Sequence, residues 1–387
     1  MARTPHIVLF SGGTACRNIN IALSRMGVRL TRIVPAWDSG GSSRVLREAF
    51  GMLPVGDVRQ ALMTMVHGEG RAGDIVKICN ARLSDTLGND DARSELDYYV
   101  TGAHPLVARM APQMRDVILG YLRLFLKRVP GDFDFRNGSI GNFILTGAFF
   151  AHGCDIDTAI LKFRKLCSIE GNVWPAFVQA DVQLAATLRD GRRLERQHLV
   201  TRMNEAESRI GVADIELTSG DGAIEPNARA LEALHVADMI VFGPGSFYTS
   251  ILPHLLVDRV SRTVRANDAA PKIFVGNILE CPETRGMDLA EQLEIFLRAA
   301  GADGGRLLTH VVSNTELFPF DKTVGRSRYL RHGELDAFCR RHGLIHMSGD
   351  LEDAWTRGEH DGRAVADLLL GIIRHRPAPP VSSNSAT

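Results

Sequence analysis

Asp38 heads the run Ser39-Gly40-Gly41-Ser42-Ser43-Arg44, and Leu53-Pro54-Val55-Gly56-Asp57-Val58-Arg59 follows it closely. Glycines let backbone N–H groups come near a ligand because no Cβ holds it off. Hydroxyls and arginine add donors for phosphate oxygens. Two carboxylates in that company can hold a metal or take a proton. Asp57 also opens the apolar helix expected over Val58 to Val66, where a capping role would explain it without any chemistry. Together, two carboxylates, two arginines and a glycine–serine loop point to a site for a phosphate-bearing ligand and a metal.

Two more loops have the same character. Ser11-Gly12-Gly13-Thr14-Ala15 follows the short apolar run Ile7 to Phe10 and precedes a helix bearing Ile19, Leu23 and Met26. A strand, a glycine turn and a helix N-terminus make an anion site, although an ordinary tight turn reads the same way. The loop lacks the dinucleotide pattern G-x-G-x-x-G and the lysine of a P-loop. Gly243-Pro244-Gly245-Ser246-Phe247-Tyr248-Thr249-Ser250 follows the apolar run Ala237 to Phe242 and again offers hydroxyls at a helix start. Asn142, beside Ser139 and Gly141, opens the apolar segment Phe143 to Phe150. Asn and Ser at such a helix start read as caps, and an amide side chain beside the glycines can also hold a base edge or a diphosphate.

The elements that must carry these loops alternate. Leu30 to Ala36 reads as a buried parallel strand. Further strands are expected at Lys272 to Gly276, Leu307 to Val312 and Leu344 to Met347, with helices at Asp155 to Ser168, Asp288 to Ala299 and Arg363 to Arg374. Residues 71–135 read as mostly helical, with Pro112 breaking Leu106 to Val129 near its start. The arginine-rich segment Asp190 to Arg196 reads as a solvated hairpin, and the pair Tyr98, Tyr99 as core more than as a ring-stacking site. His342 and His346 have the spacing of a helical metal pair, but Gly343 and the apolar run suggest a strand, which puts that spacing out of use. In open parallel sheets ligands sit outside the carboxyl ends of the strands. Three such loops therefore predict one shared crevice.

Basic and acidic residues balance at 45 each, so nucleic acid is not the expected partner. The six cysteines show no C-x-x-C spacing and read as reduced thiols. No secretory h-region and no apolar run of membrane length stands out, so the expected location is cytoplasmic, with no membrane partner. One α/β domain is expected over 1–375, with 71–135 as a helical elaboration and 376–387 as a disordered Pro- and Ser-rich tail.

These motifs also carry a family resemblance. Ser11-Gly12-Gly13-Thr14, Asp38 to Ser43 with Leu53 to Arg59, Ser139-Ile140-Gly141-Asn142-Phe143, Gly243 to Pro253, and Asn277 with Pro282-Glu283-Thr284 occur in the order found in the CofD-like superfamily. The chain resembles that group from Ile7 to about Ile373. The group includes 2-phospho-L-lactate transferases and gluconeogenesis factors of the YvcK type. The resemblance implies an α/β, Rossmann-like three-layer sandwich with a mainly parallel sheet and a helical insertion.

It also implies transfer of a phospho-group from a nucleotide-activated donor to an acceptor hydroxyl. Asp38 and Asp57 would then hold Mg²⁺ or take the hydroxyl proton. Gly12, Gly13, Thr14, Gly40, Gly41, Ser42, Ser43, Gly243, Gly245 and Ser246 would form the phosphate-binding loops. Asn142 and Thr249 would orient base or sugar, and Arg59 would bind phosphate or pin Asp57. The alternative from the same resemblance is a non-catalytic regulator that binds a nucleotide sugar. Trp37 stands where the relatives carry an acidic residue, which favours that alternative. The ligand expected on either reading is a nucleotide or nucleotide sugar, and a homo-oligomer is left open.

Overall fold

A computed structural model describes residues 3–12, 16–66, 71–220, 222–257, 259–301 and 306–375. The first strand, β1 (His6–Phe10), leads to α1 (Arg17–Ser24), and β2 (Arg29–Val34) leads to α2 (Gly41–Phe50) and α3 (Gly56–Met63). The insertion comprises α4 (Arg71–Asn80), α5 (Asn89–Val100), α6 (Pro105–Ala108) and α7 (Pro112–Arg128). Pro112 occupies the first turn of α7, where its missing N–H costs nothing, so it starts that helix. Then come α8 (Ile140–Ala151), capped by Ser139, α9 (Ile156–Leu166), capped by Asp155, and β3 (Asn172–Pro175).

An excursion follows that the sequence reading saw only in part. Strands β4 (Gln183–Leu188), β5 (Arg193–Leu194) and β6 (Val212–Thr218) form a small antiparallel sheet in the order β5-β4-β6. The expected hairpin at Asp190 to Arg196 is its β4–β5 turn. Strand β6 went unread because only part of it is buried, which blurs its alternation. Between β5 and β6 lies the short helix α10 (Gln197–Thr201).

The main sheet resumes with β7 (Met239–Phe242), β8 (Lys272–Val275), β9 (His310–Asn314) and, past the hairpin pair β10 (Thr323–Val324) and β11 (Ser327–Arg328), β12 (Ile345–Gly349). Among the described residues the sheet has seven strands in the order β12-β9-β8-β7-β1-β2-β3, and every pair is parallel. Helices lie on its faces, as the α/β, Rossmann-like expectation required. Its central strands read as continuous apolar runs because both faces are covered: all five residues of β1 and all four of β7 are buried. Phe10 stacks on Phe242 at 4.7 Å, and Phe242 meets Phe296 edge-on at 4.9 Å.

Two boundaries need correction. The strand expected at Leu307 to Val312 runs over His310–Asn314; Leu307 and Leu308 are buried but precede the ladder. His342 ends a helix, Leu335–His342, which Gly343 closes with φ 62°, so only His346 lies on a strand. The two histidines pair with different carboxylates, Glu294 and Asp336. Of the tyrosine pair only Tyr99 is core, its ring stacked on His104 at 4.2 Å, whereas Tyr98 is exposed. The six cysteines form no disulfide. The segment 376–387 lies outside the described residues, as do Gly13 and Thr14.

Candidate functional site

Strands β7, β1 and β2 are adjacent and parallel, so the loops at their carboxyl ends line one edge of the sheet. Those loops are interlocked. A Cβ on Gly12 would stand 2.6 Å from both the Cβ and the Oγ of Ser250, so glycine is what lets the first and third loops touch. Trp37 Nε1 donates to the carbonyl of Thr249 at 2.7 Å and joins the second loop to the third. The N-terminal end of α8 joins the second loop as well, for Asn142 Nδ2 donates to Ser42 Oγ at 2.8 Å.

The carboxylates come together at the second loop. Asp38 Oδ1 accepts the Gly40 N–H at 2.9 Å. Its Oδ2 lies 3.4 Å from where a Cβ on Gly56 would be, one residue before Asp57. Val55 holds the cap position of α3 and Asp57 stands inside its first turn, where its charge favours the helix end without its being the cap residue. Burial and then the charge of Asp38 push its carboxyl up to about 7, while Arg32 and Arg59 pull the other way. Gly41 begins α2 with φ 47°, a left-handed conformation that glycine adopts without strain. Arg44 is exposed and pairs with Glu48 at 3.1 Å, so it is not aimed at the carboxylates.

Several residues expected to touch the ligand are already engaged by their neighbours. Arg59 Nε donates to Asn142 Oδ1 at 3.0 Å and its Nη1 to Asn80 Oδ1 at 2.6 Å, so both ends of the Asn142 amide are occupied. The Gly245 N–H and C=O are both held by the Asn277 amide, each at 2.8 Å, so that N–H is not offered to a phosphate. Gly243 donates to the Phe10 carbonyl. Thr249 is buried, and its hydroxyl donates to Glu283 Oε1 at 2.5 Å. Glu283 Oε2 also accepts the N–H groups of Tyr248 and Thr249, at 3.0 and 3.1 Å. Burial lifts the Glu283 carboxyl to about 7 even against these three donors.

The Ser246 carbonyl accepts from Ser250 at 2.8 Å and Ile251 at 3.2 Å, which opens the loop into a π-type turn over Phe247–Ile251. The Ser246 side chain makes no capping bond. Asp38, Asp57, the Gly40-to-Ser43 turn and Ser246 are therefore the groups best placed to meet a ligand.

Arg32 escaped the sequence reading. It lies within β2, 1% exposed, and its Nε and Nη2 donate to Ser11 Oγ at 3.0 and 2.7 Å. Its Nη1 donates to Thr64 Oγ1 at 3.0 Å. No carboxylate bonds it among the described residues, and burial lowers it to about 10. A buried cation thus sits beneath the first loop and near Asp57. The signal was there: one arginine in an otherwise apolar run. His198, on α10, was also missed. It accepts or donates through Nδ1 to Ser39 Oγ at 2.9 Å, so the small sheet reaches the second loop.

Among the described residues no three His, Cys, Asp or Glu side chains gather as a metal site would need, so an ion here would rest on two carboxylates and the ligand's own phosphates. Asp38 and Asp57 supply carboxylate oxygens, and the mutual cost of their charges is what a cation would relieve. Magnesium needs few carboxylates when phosphates complete its shell. Trp37 supplies none; it is fully buried, edge-on to His254 at 4.9 Å.

A parallel α/β sheet with helices on its faces, whose loops meet outside the carboxyl ends of its strands, is of the Rossmann-like class, in which ligands bind at those ends. The family described as 2-phospho-L-lactate transferase CofD matches residues 7–344, and the chain belongs to that family. The gluconeogenesis factor of Listeria monocytogenes is 28% identical over 373 residues, covering 95% of this chain and 96% of its own. That of Bacillus subtilis is 28% identical over 384 residues, covering 97% and 100%. A relative from Nostoc sp. is 30% identical over 300 residues, 77% of this chain, which spans about half (53%) of that relative's length. A crystal structure from Bacillus halodurans, a member of the UPF0052 family, has the same fold, with TM-score 0.71 at 20% identity over 95% of this chain and 100% of that one. Among the described residues no single helix is long and apolar enough to cross a membrane.

Proposed function

We propose that the crevice moves a phospho-group from a nucleotide-activated donor to the hydroxyl of an acceptor. The observation that supports this most is that Asp38 lies against Gly56, at the start of the helix that carries Asp57, near enough for its charge to raise the Asp57 carboxyl. The acceptor oxygen forms a bond to phosphorus, the bond from phosphorus to the nucleotide phosphate breaks, and the nucleotide monophosphate leaves. The acceptor's proton passes to a carboxylate of the pair. The Gly40-to-Ser43 turn and Ser246 hold phosphate oxygens, and the buried charges of Arg32 and Arg59 favour anions above them. Asp38 and Asp57 would hold Mg²⁺, which would neutralise phosphate charge.

A second reading is a regulator that binds a nucleotide sugar without turning it over. The burial of Trp37 in place of an acid favours it, as do relatives described as gluconeogenesis factors. Calorimetric titration of uridine and guanosine nucleotides and their sugars, with Mg²⁺ and with EDTA, separates the two. Under the transfer reading Asp38→Asn keeps most affinity but loses turnover, followed by ³¹P NMR, by roughly two orders of magnitude or more. Metal-independent binding that Asp38→Asn leaves untouched, with no product from any donor and acceptor, would establish the regulator instead.

A further inference from the structure

A cleft of about 590 Å³ opens between α1, α3 and α4, on the helical layer and away from the Gly40-to-Ser43 turn. Arg17, Arg25 and Lys77 line it, with Gln60, Thr64 and Asn80, and among the described residues no carboxylate lines it. Several exposed arginines elsewhere are matched, Arg93 with Asp97, Arg209 with Glu205 and Arg363 with Asp367. Here the three cations have no ion-pair partner among the described residues. Asp74, on the same helix as Lys77, pairs with Arg109 at 3.1 Å and so does not neutralise them. The whole chain is electrically balanced, so this is a local excess rather than a general one. Three like charges facing one cleft repel one another, and an anion that bridges them removes that cost. The volume suits a small molecule.

We propose that this cleft is a second anion site, which takes a small molecule carrying more than one phosphate. Lysine serves as a point charge for phosphate, arginine as a fork, and the Gln60 and Asn80 amides add donors. The site also touches the crevice by two hydrogen bonds. Thr64 Oγ1 accepts from Arg32, which holds Ser11 beneath the first loop, and Asn80 Oδ1 accepts from Arg59, which holds Asn142. An anion drawn to Thr64 and Asn80 therefore meets the residues that support the crevice from below. The inference does not depend on the crevice being catalytic.

Inorganic tripolyphosphate, titrated calorimetrically in EDTA at low ionic strength, is the probe. Wild type is expected to bind it, and the equivalent that belongs to the cleft is the one the cleft variants weaken. Arg25→Glu combined with Lys77→Glu, both exposed positions, should weaken binding at least about tenfold, and the paired glutamine variant by less. Asp38→Asn, in the crevice, should stay within about twofold of wild type, because the cleft holds none of its contacts. Circular dichroism checks that the variants fold, and the glutamine pair serves if the charge reversal does not. Absence of binding to wild type, unchanged affinity in both cleft variants, or loss of binding in Asp38→Asn would each overturn the proposal.

Discussion

Glu283 is 2% exposed and has three donors pointed at it, the N–H groups of Tyr248 and Thr249 and the Thr249 hydroxyl. A glutamine there can still serve all three, with its oxygen toward the two N–H groups and its amide toward the hydroxyl. Alanine leaves them unpaired in a dry site. Glu283→Gln should therefore cost under about 1 kcal/mol and Glu283→Ala about 3 kcal/mol, by urea denaturation. Equal costs would mean that the carboxyl fills space and nothing more. Residues of this kind mark where sequence reading stops. The acids, glycines and hydroxyls of the crevice could be named from their types and neighbours. Which were free could not, because that depends on partners far along the chain: Thr249 on Glu283, Gly245 on Asn277, Asn142 on Arg59. Trp37 looks like a lost ligand in the sequence, and in the fold it is a strut between two loops.

Loops and strands were more legible than their contacts. Strands β1, β2, β7 and β8 announce themselves as short apolar runs because helices cover both faces of the sheet. The small antiparallel sheet did not, since β6 is half exposed and pairs with residues of β4 far upstream (Leu184 opposite Leu217, Ala186 opposite Ile215). The shared crevice follows from strand order, and its tightest test is the contact between Gly12 and Ser250. A Cβ at Gly12 meets Ser250 at 2.6 Å, closer than packed carbons tolerate. Gly12→Ala should destabilise the protein by about 1–3 kcal/mol and weaken nucleotide binding by pushing the loops apart. Ser250→Gly removes both opposing atoms, so the double variant should recover most of that loss. A double variant no better than Gly12→Ala alone, measured by thermal unfolding and ligand titration, would show that the two loops do not press on each other in solution.

Across the whole molecule, buried titratable groups set two opposing responses to pH. Burial holds His6 and His360 down to about 4 and His254 to about 3. From pH 6.5 down to those values the unfolded chain takes up protons that the native state refuses, so stability falls as pH falls. Asp57 and Glu283, raised to about 7, act the other way: the native state keeps their protons where the unfolded chain has lost them, so their contribution declines as pH rises from about 4 to 7. Three histidines shifted by at least as much as Glu283 outweigh two carboxyls, and the acid limb should slope downward.

His254 is the cleanest probe of that limb. It is fully buried, burial is the sole cause of its shift, and neither ring nitrogen has a hydrogen-bond partner. Its ring lies between Phe10 and Trp37, each at 4.9 Å. Leucine fits that apolar slot and has no proton to take up. At pH 7, His254→Leu should be at least as stable as wild type, because two unpaired buried nitrogens are gone. On lowering the pH to 4.5 the wild type should lose about 2 kcal/mol more than the variant, read from urea midpoints at each pH. A gap between the two proteins that stays constant from pH 7 to 4.5 would mean that the imidazole finds a partner or a proton in the native state, and the acid limb would then rest on His6 and His360 alone.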